Sequence, residues 1–175
     1  MQKMQQVILF CDIRNFMRIA QALKERLADF MQAFYVTAGD SVVEHGGRIL
    51  KYIGDSLLCV FPADSVKDAV QCGRTMRRDF STLLRRFSLG EGADLGVSIS
   101  AGEVMRGLIG HDSLRLDDVF GDPVAHAALV LHFGGITLTK EAWDAVKDEL
   151  QTEELPPTPL KWQAEPLRAW KIVEP

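Results

Sequence analysis

The sequence is poor in the features that would place it outside ordinary globular proteins. It has three cysteines, Cys11, Cys59 and Cys72, an odd number with no CxxC spacing. That excludes a disulfide framework and gives no zinc-ligand pattern, so buried free thiols are expected. Cationic excess is also missing: 20 Lys and Arg stand against 24 Asp and Glu, a net charge of −4. Nucleic-acid binding rests on clustered cations, so no nucleic-acid partner is expected. There is no long hydrophobic run either. The longest uncharged stretch, Pro123 to Thr139, contains a proline, two glycines and two histidines, and falls short of the ~18 apolar residues of a membrane span. The first residues, MQKMQQVILFCDI, turn strand-like with no signal-peptide core, so a cytoplasmic location is expected.

What is present is the composition of a globular protein, 47% hydrophobic and 25% charged over 175 residues. That suits a single domain spanning 1–175. Gln6 to Cys11 is an apolar, β-rich run that stops at Asp12, as a central strand ending on a carboxylate would. From Asn15 to about Glu44, apolar residues recur at helix spacing through Phe16, Ile19, Leu27, Phe30, Phe34 and Val42, which predicts two helices with a break. Strands at 48–53 and 56–61 flank Gly54–Asp55, the signature of a tight hairpin. A helix follows to about Phe87, then a loop at 88–94. LGVSISAG, VMRGLIG and RLDDVF read as three strands. Asp122 as N-cap with Pro123 behind it starts another helix. A short strand, a helix after Thr139 and a last strand near 167–173 complete the chain. The fold class is α+β: a ferredoxin-like βααββαβ antiparallel sheet with helices packed on one face and additional C-terminal strands.

Three segments in order, FCDIRNF at 10–16, HGGRILKYIGDSLLCVFP at 45–62, and GVSISAGEVMRGLIG at 96–110 followed by DDVFGDPVAHAA at 117–128, carry a family resemblance. The chain resembles the catalytic domain of class III adenylate/guanylate (nucleotidyl) cyclases from about Val7 to Leu131, and more weakly beyond. The resemblance implies the nucleotide cyclase fold and a reaction in which the ribose 3′ oxygen attacks the α-phosphorus while pyrophosphate leaves.

Charge then builds on both oxygens, and two divalent cations, Mg or Mn, meet that demand if carboxylates hold them. The family's metal-holding positions correspond to Asp12 and Asp55, with the backbone carbonyl of Ile13 as a further ligand. Taken singly, Asp12 reads as a helix cap and Asp55 as a turn residue. Taken within two motifs, both read as catalytic, metal-binding groups.

For the base, the positions where adenylate-type members place a Lys and an Asp hold Lys51 and Asp118. Adenine offers an N1 acceptor and an N6 donor, matched by a Lys donor and a carboxylate acceptor, whereas guanine reverses the pattern. ATP is therefore the expected nucleotide. Asp117 is adjacent, and strand alternation is expected to point the two carboxylates oppositely.

The resemblance fails on the helix from 122. Active members carry an Asn and, four residues on, an Arg that serve the ribose and the phosphates. Here those positions are Ala125 and Leu129, the degenerate positions of the site. Losing a cation that stabilises phosphoryl transfer can cost about 10³–10⁵ in rate. Arg14, Arg48 and Arg115 are the candidate substitutes. His126, rotated by about 100° along the helix from the Asn position, reads as a helix residue satisfied by water or a carboxylate.

Family sites lie between two catalytic domains, so the implied partners are ATP and a second domain. A homodimer would set Asp12 and Asp55 of one chain against Lys51 and Asp118 of the other, and both sites would lack the Asn and Arg. A heterodimer with a complete domain would gain one competent site from the metal half supplied here. Two function classes stay open: a slow enzyme forming cyclic AMP, or a degenerate cyclase-like module that binds nucleotide and regulates a partner.

Overall fold

A computed structural model describes residues 1–90 and 92–174; Glu91, within the loop predicted at 88–94, lies outside the described residues. In chain order the elements are β1 (Gln2–Arg14), α1 (Phe16–Leu23), α2 (Leu27–Glu44), β2 (Arg48–Ile53), β3 (Ser56–Pro62), α3 (Val66–Arg86), β4 (Asp94–His111), β5 (Leu114–Phe120), α4 (Asp122–Val130), β6 (Ile136–Thr139), α5 (Lys140–Asp144), β7 (Thr152–Glu154) and β8 (Ala169–Ile172). One 3₁₀ turn joins α1 to α2 and another continues α4.

Alternation along β1 sets the layers, because successive side chains of a strand point to opposite faces. Val7, Leu9, Cys11 and Ile13 join Phe30, Phe34, Met76 and Phe80 from α2 and α3 in the main core. Ile8 instead meets Leu58, Val60, Val119 and Ala127 in a smaller cluster on the opposite face. The sheet order is β2-β3-β1-β4-β6-β8-β7, with β5 paired to β4. Its first four strands give the expected ferredoxin-like arrangement, with α1, α2 and α3 on one face and further strands from the C-terminal region.

Several details differ from the sequence reading. α4 packs through Ala127 against the face away from α1–α3, so the helical layer is one-sided only for the first three helices. The sheet contains one parallel pair, β4 with β6. LGVSISAG and VMRGLIG are one strand, because β4 runs on past the end of β1 to pair with β5 from Met105 to His111. Gly121, not Asp122, occupies the N-cap of α4; Asp122 and Pro123 are its first helical residues, and no side chain caps it. β7 is three residues long, too short for periodicity to mark.

The three cysteines are free and buried. Burial pushes the thiols up, Cys72 to about 12. Among the described residues no helix is long and apolar enough to cross a membrane.

An irregularity in β2 decides which face Lys51 presents. Ile49 pairs with Cys59 but Lys51 pairs with Leu58, a bulge at Leu50. Directly opposed residues share a face, so the bulge turns Lys51 to the face of Leu58 and leaves Tyr52, opposite Leu57, on the face of α2. Strict alternation from Ile49 would have done the reverse.

Candidate active site

Asp12 stands opposite Ser56 in the β1–β3 ladder, on the face away from α1–α3. Its carboxylate accepts a hydrogen bond of 2.5 Å from the Ser56 hydroxyl. The helix-cap reading of Asp12 does not hold: the residue at the N-cap of α1 is Asn15, in the left-handed conformation with φ 60°. The Ile13 side chain is buried in the main core at 1% exposure, so only its backbone is left to serve a site here.

Asp55 sits in the turn between β2 and β3, where the preceding Gly54 has φ +59°, a conformation glycine adopts without a Cβ penalty. The turn is held against β1, since the Ile13 amide donates to the Asp55 carbonyl at 3.3 Å. It is held from the helical layer too, where the Tyr35 hydroxyl of α2 donates to the Gly54 carbonyl at 2.5 Å. Burial raises the Asp55 carboxyl above the usual carboxylate range; a hydrogen bond from its own backbone opposes this, and the Asp12 charge and a side-chain bond to Asp12 add to the rise. The ladder places Asp12 opposite Ser56, the residue after Asp55, and the Ile13 amide bond ties the turn to β1, so the two acids are neighbours across the strands. A pair of carboxylates whose mutual repulsion is partly desolvated is a donor set that a hard dication relieves. Among the described residues no cluster of three or more His, Cys, Asp or Glu side chains stands ready to hold a metal, so other ligands would be backbone carbonyls, water or phosphate oxygens.

Lys51 meets Asp118 within the same chain, Nζ to Oδ2 2.7 Å, with side chains 30% and 14% exposed. Asp118 also accepts from the Val119 amide at 2.8 Å. Asp117 has its own partners: Arg106 at 2.7 Å and Arg48 at 3.4 Å. The Arg106 hydrogen bond above all, with both guanidinium charges behind it, holds the Asp117 carboxyl below its ordinary range. The two adjacent acids are thus separated by their cations, and it is Asp118 that faces the lysine. Both also engage β2, through Arg48 and Lys51, three residues apart across the bulge.

On α4, Ala125 is half-buried. Leu129 packs into an apolar cluster with Val130, Leu155, Leu160, Leu167 and Ala169. None of the three candidate arginines is free: Arg14 donates to the His132 carbonyl at 2.6 Å, Arg48 is on Asp117, and Arg115 pairs with Asp112 at 2.6 Å. His126 has no carboxylate partner: its buried Nε2 meets no hydrogen-bonding group among the described residues, which leaves water as the expected partner. Sequence reading did not single out Tyr35, Ser56 or Arg106. Each acts through a partner distant in the chain, and no local pattern marks that.

The site residues are part-buried, and a depression of about 580 Å³ lined by Arg26, Asp29, Thr37 and Phe87 contains none of them. Their face of the sheet carries carboxylates beside a lysine–carboxylate pair, groups suited to cations, phosphates and a purine.

Comparison with known proteins agrees. A family model described as the adenylate and guanylate cyclase catalytic domain matches residues 1–164. The terminal-differentiation specific adenylate cyclase of Dictyostelium discoideum is 31% identical over 125 residues, covering 67% of this chain and 6% of that protein. An adenylate cyclase of Anabaena cylindrica is 28% identical over 130 residues, covering 70% of this chain and 26% of that one. The chain thus spans a small part of the curated relatives it matches. Among solved structures, the adenylyl cyclase CyaB from P. aeruginosa superposes with a TM-score of 0.91 at 21% identity, covering 99% of this chain and 96% of that one. The guanylyl cyclase Cya2 gives 0.88 at 21%, covering 98% and 92%. At these identities the likeness speaks for the fold, and it spans cyclases of both nucleotide preferences.

Proposed function

The chain belongs to the adenylate and guanylate cyclase catalytic-domain family, and from that premise we propose that it forms cyclic AMP and pyrophosphate from ATP as part of a dimer. The 3′ oxygen attacks the α-phosphorus, the bond from that phosphorus to the oxygen bridging it to the β-phosphorus breaks, pyrophosphate departs with that oxygen and the 3′ proton passes to solvent. Asp12, Asp55 and the Ile13 carbonyl hold two divalent cations, Mg or Mn, which when bound acidify the 3′ hydroxyl and neutralise the phosphates. Lys51 donates to adenine N1 and Asp118 accepts from the N6 amine. Arg106 and Arg48 keep Asp117 occupied and so leave Asp118 to the base. The observation that carries this reading is the register that sets Asp12 opposite Ser56, the residue after Asp55, on a face that also presents the Lys51–Asp118 pair.

A second chain is part of the proposal. Beyond the end of β1, the β4–β5 arm exposes Leu108 at 72%, Leu114 at 64% and also Ile109 and Leu116. Apolar surface gathered on one projecting ribbon suits an interface better than solvent. The substrate and the three unpaired thiols fit the cytoplasm, where ATP is made and cysteines stay reduced.

Ala125 and Leu129 favour a second reading, in which the chain is a regulatory module or the metal-bearing half of a heterodimer. Neither side chain donates a hydrogen bond, and the nearby arginines are engaged elsewhere. Incubating the purified chain with Mn²⁺ and each of the four nucleoside triphosphates, with mass spectrometry for cyclic products, separates the two. Cyclic AMP in excess of the others supports the enzyme. Cyclic GMP alone overturns the base assignment, and no product despite ATP binding favours the module.

A further inference from the structure

Asp55 occupies a turn, the part of a hairpin least constrained by its ladder, yet a carboxylate that shares a cation with Asp12 must be held in place. Resting on the metal reading above, we propose that Tyr35 is the positioning residue for Asp55: its hydroxyl pins the Gly54 carbonyl and fixes the turn from the helical layer.

The bond is 2.5 Å long and joins α2 to the residue immediately before Asp55. Gly54 is itself in the left-handed region, φ +59°, and its missing side chain leaves nothing else on that residue to anchor. The β1 side of the turn has its own restraint in the Ile13 amide bond to the Asp55 carbonyl. Tyr35 therefore supplies the hold on the opposite side, and the turn is gripped between two layers.

The Tyr35 ring is placed by its neighbours. It lies against Tyr52 with centroids 4.3 Å apart and a 38° tilt, and against Phe34 at 5.9 Å. Tyr52 is on the α2 face only because of the bulge at Leu50, so the irregularity that presents Lys51 to one side also furnishes the platform for Tyr35 on the other. A phenol hydroxyl carries its proton throughout neutral pH and so remains a donor there. A rigid support of this kind is how a binding group is kept within the tolerance its ligand demands.

Tyr35→Phe removes the hydroxyl and keeps the ring. The test titrates Mn²⁺ alone into the full chain, following free Mn²⁺ by electron paramagnetic resonance, for wild type, Tyr35→Phe and Asp55→Asn. Thermal midpoints and metal-free ATP-analogue affinity are measured in parallel. Loss of one hydrogen bond should raise the Mn²⁺ dissociation constant of Tyr35→Phe about three- to ten-fold, with metal-free nucleotide affinity unchanged and the midpoint lowered by no more than about 4 °C. A tyrosine of purely structural importance would lower the midpoint and leave the Mn²⁺ constant where it is, and that result overturns the proposal. Wild type that binds no Mn²⁺, or Asp55→Asn that binds it as well as wild type, overturns the metal reading and this proposal with it. Wild type that binds while Asp55→Asn does not, with Tyr35→Phe indistinguishable from wild type, overturns the role of Tyr35 alone.

Discussion

Lys51 and Asp118, 67 residues apart, form a 2.7 Å ion pair within one chain, both largely shielded from solvent. A base that takes up both groups must separate them, exchanging one charge-assisted contact for two hydrogen bonds. Lys51→Ala should weaken ATP-analogue binding by about tenfold, as expected for a lost hydrogen bond to a charged group. GTP-analogue binding should change less, narrowing the preference between the two in calorimetric titrations. An equal loss for both would mean that Lys51 acts through its charge and not by reading the base.

Asp55 predicts a pH dependence. Its folded-state carboxyl is raised by burial and by Asp12, so the folded chain holds that proton more tightly than the unfolded one. The associated stability is fully present below the ordinary carboxylate range and is lost as pH rises through the raised value. In chelator, Asp55→Asn should therefore melt above wild type at pH 7, and the difference should vanish near pH 3. Added Mn²⁺ should raise the wild-type midpoint by mass action and leave the Asn variant unmoved.

Ala125→Asn with Leu129→Arg restores the two side chains the family resemblance lacks. Cyclic AMP formation should rise by about 10³ or more, the scale of a cation supplied to phosphoryl transfer. Leu129 lies in the cluster with Leu155, Leu160 and Leu167, so Leu129→Arg alone should lower the thermal midpoint. Unchanged turnover in a folded double variant would remove α4 from the site.

Gly47 tests the packing beneath the hairpin. A Cβ there would lie 2.5 to 2.9 Å from three atoms of the Phe61 ring, and that ring is 1% exposed with no room to retreat. Gly47→Ala should cost about 1–3 kcal/mol, read as a lowered midpoint in chemical or thermal denaturation.

The layered core was legible because alternation and helical spacing are local. Val7, Leu9 and Cys11, or Phe30 and Phe34, announce their burial in a few neighbouring residues. The Gly54–Asp55 turn and the pair of acids were legible in the same way, through turn chemistry and motif. What the sequence concealed depends on partners far along the chain. The face of Lys51 is decided by which residue of β3 it opposes, and one unpaired position reverses it. The separation of Asp117 from Asp118 is made by Arg106 and Arg48. Leu129 is absorbed by Leu155, Leu160 and Leu167, which lie in a stretch with little regular structure and no period to read. β4 was cut in two because beyond Arg106 it outruns β1 and continues with β5 alone, while nothing in its own residues marks that point.

The single extra residue at Leu50 has a consequence for anyone who edits or aligns this chain. Deleting it would preserve almost every property that a composition or a hydropathy profile can register. It would also leave Lys51 opposite Leu58 and Tyr52 opposite Leu57; what exchanges their destinations is pairing Leu50 into the ladder, which carries the ammonium group beneath the helices and the phenol to the opposite face. An alignment gap drawn one position away from that spot would silently assign the wrong side chain to each face of the sheet.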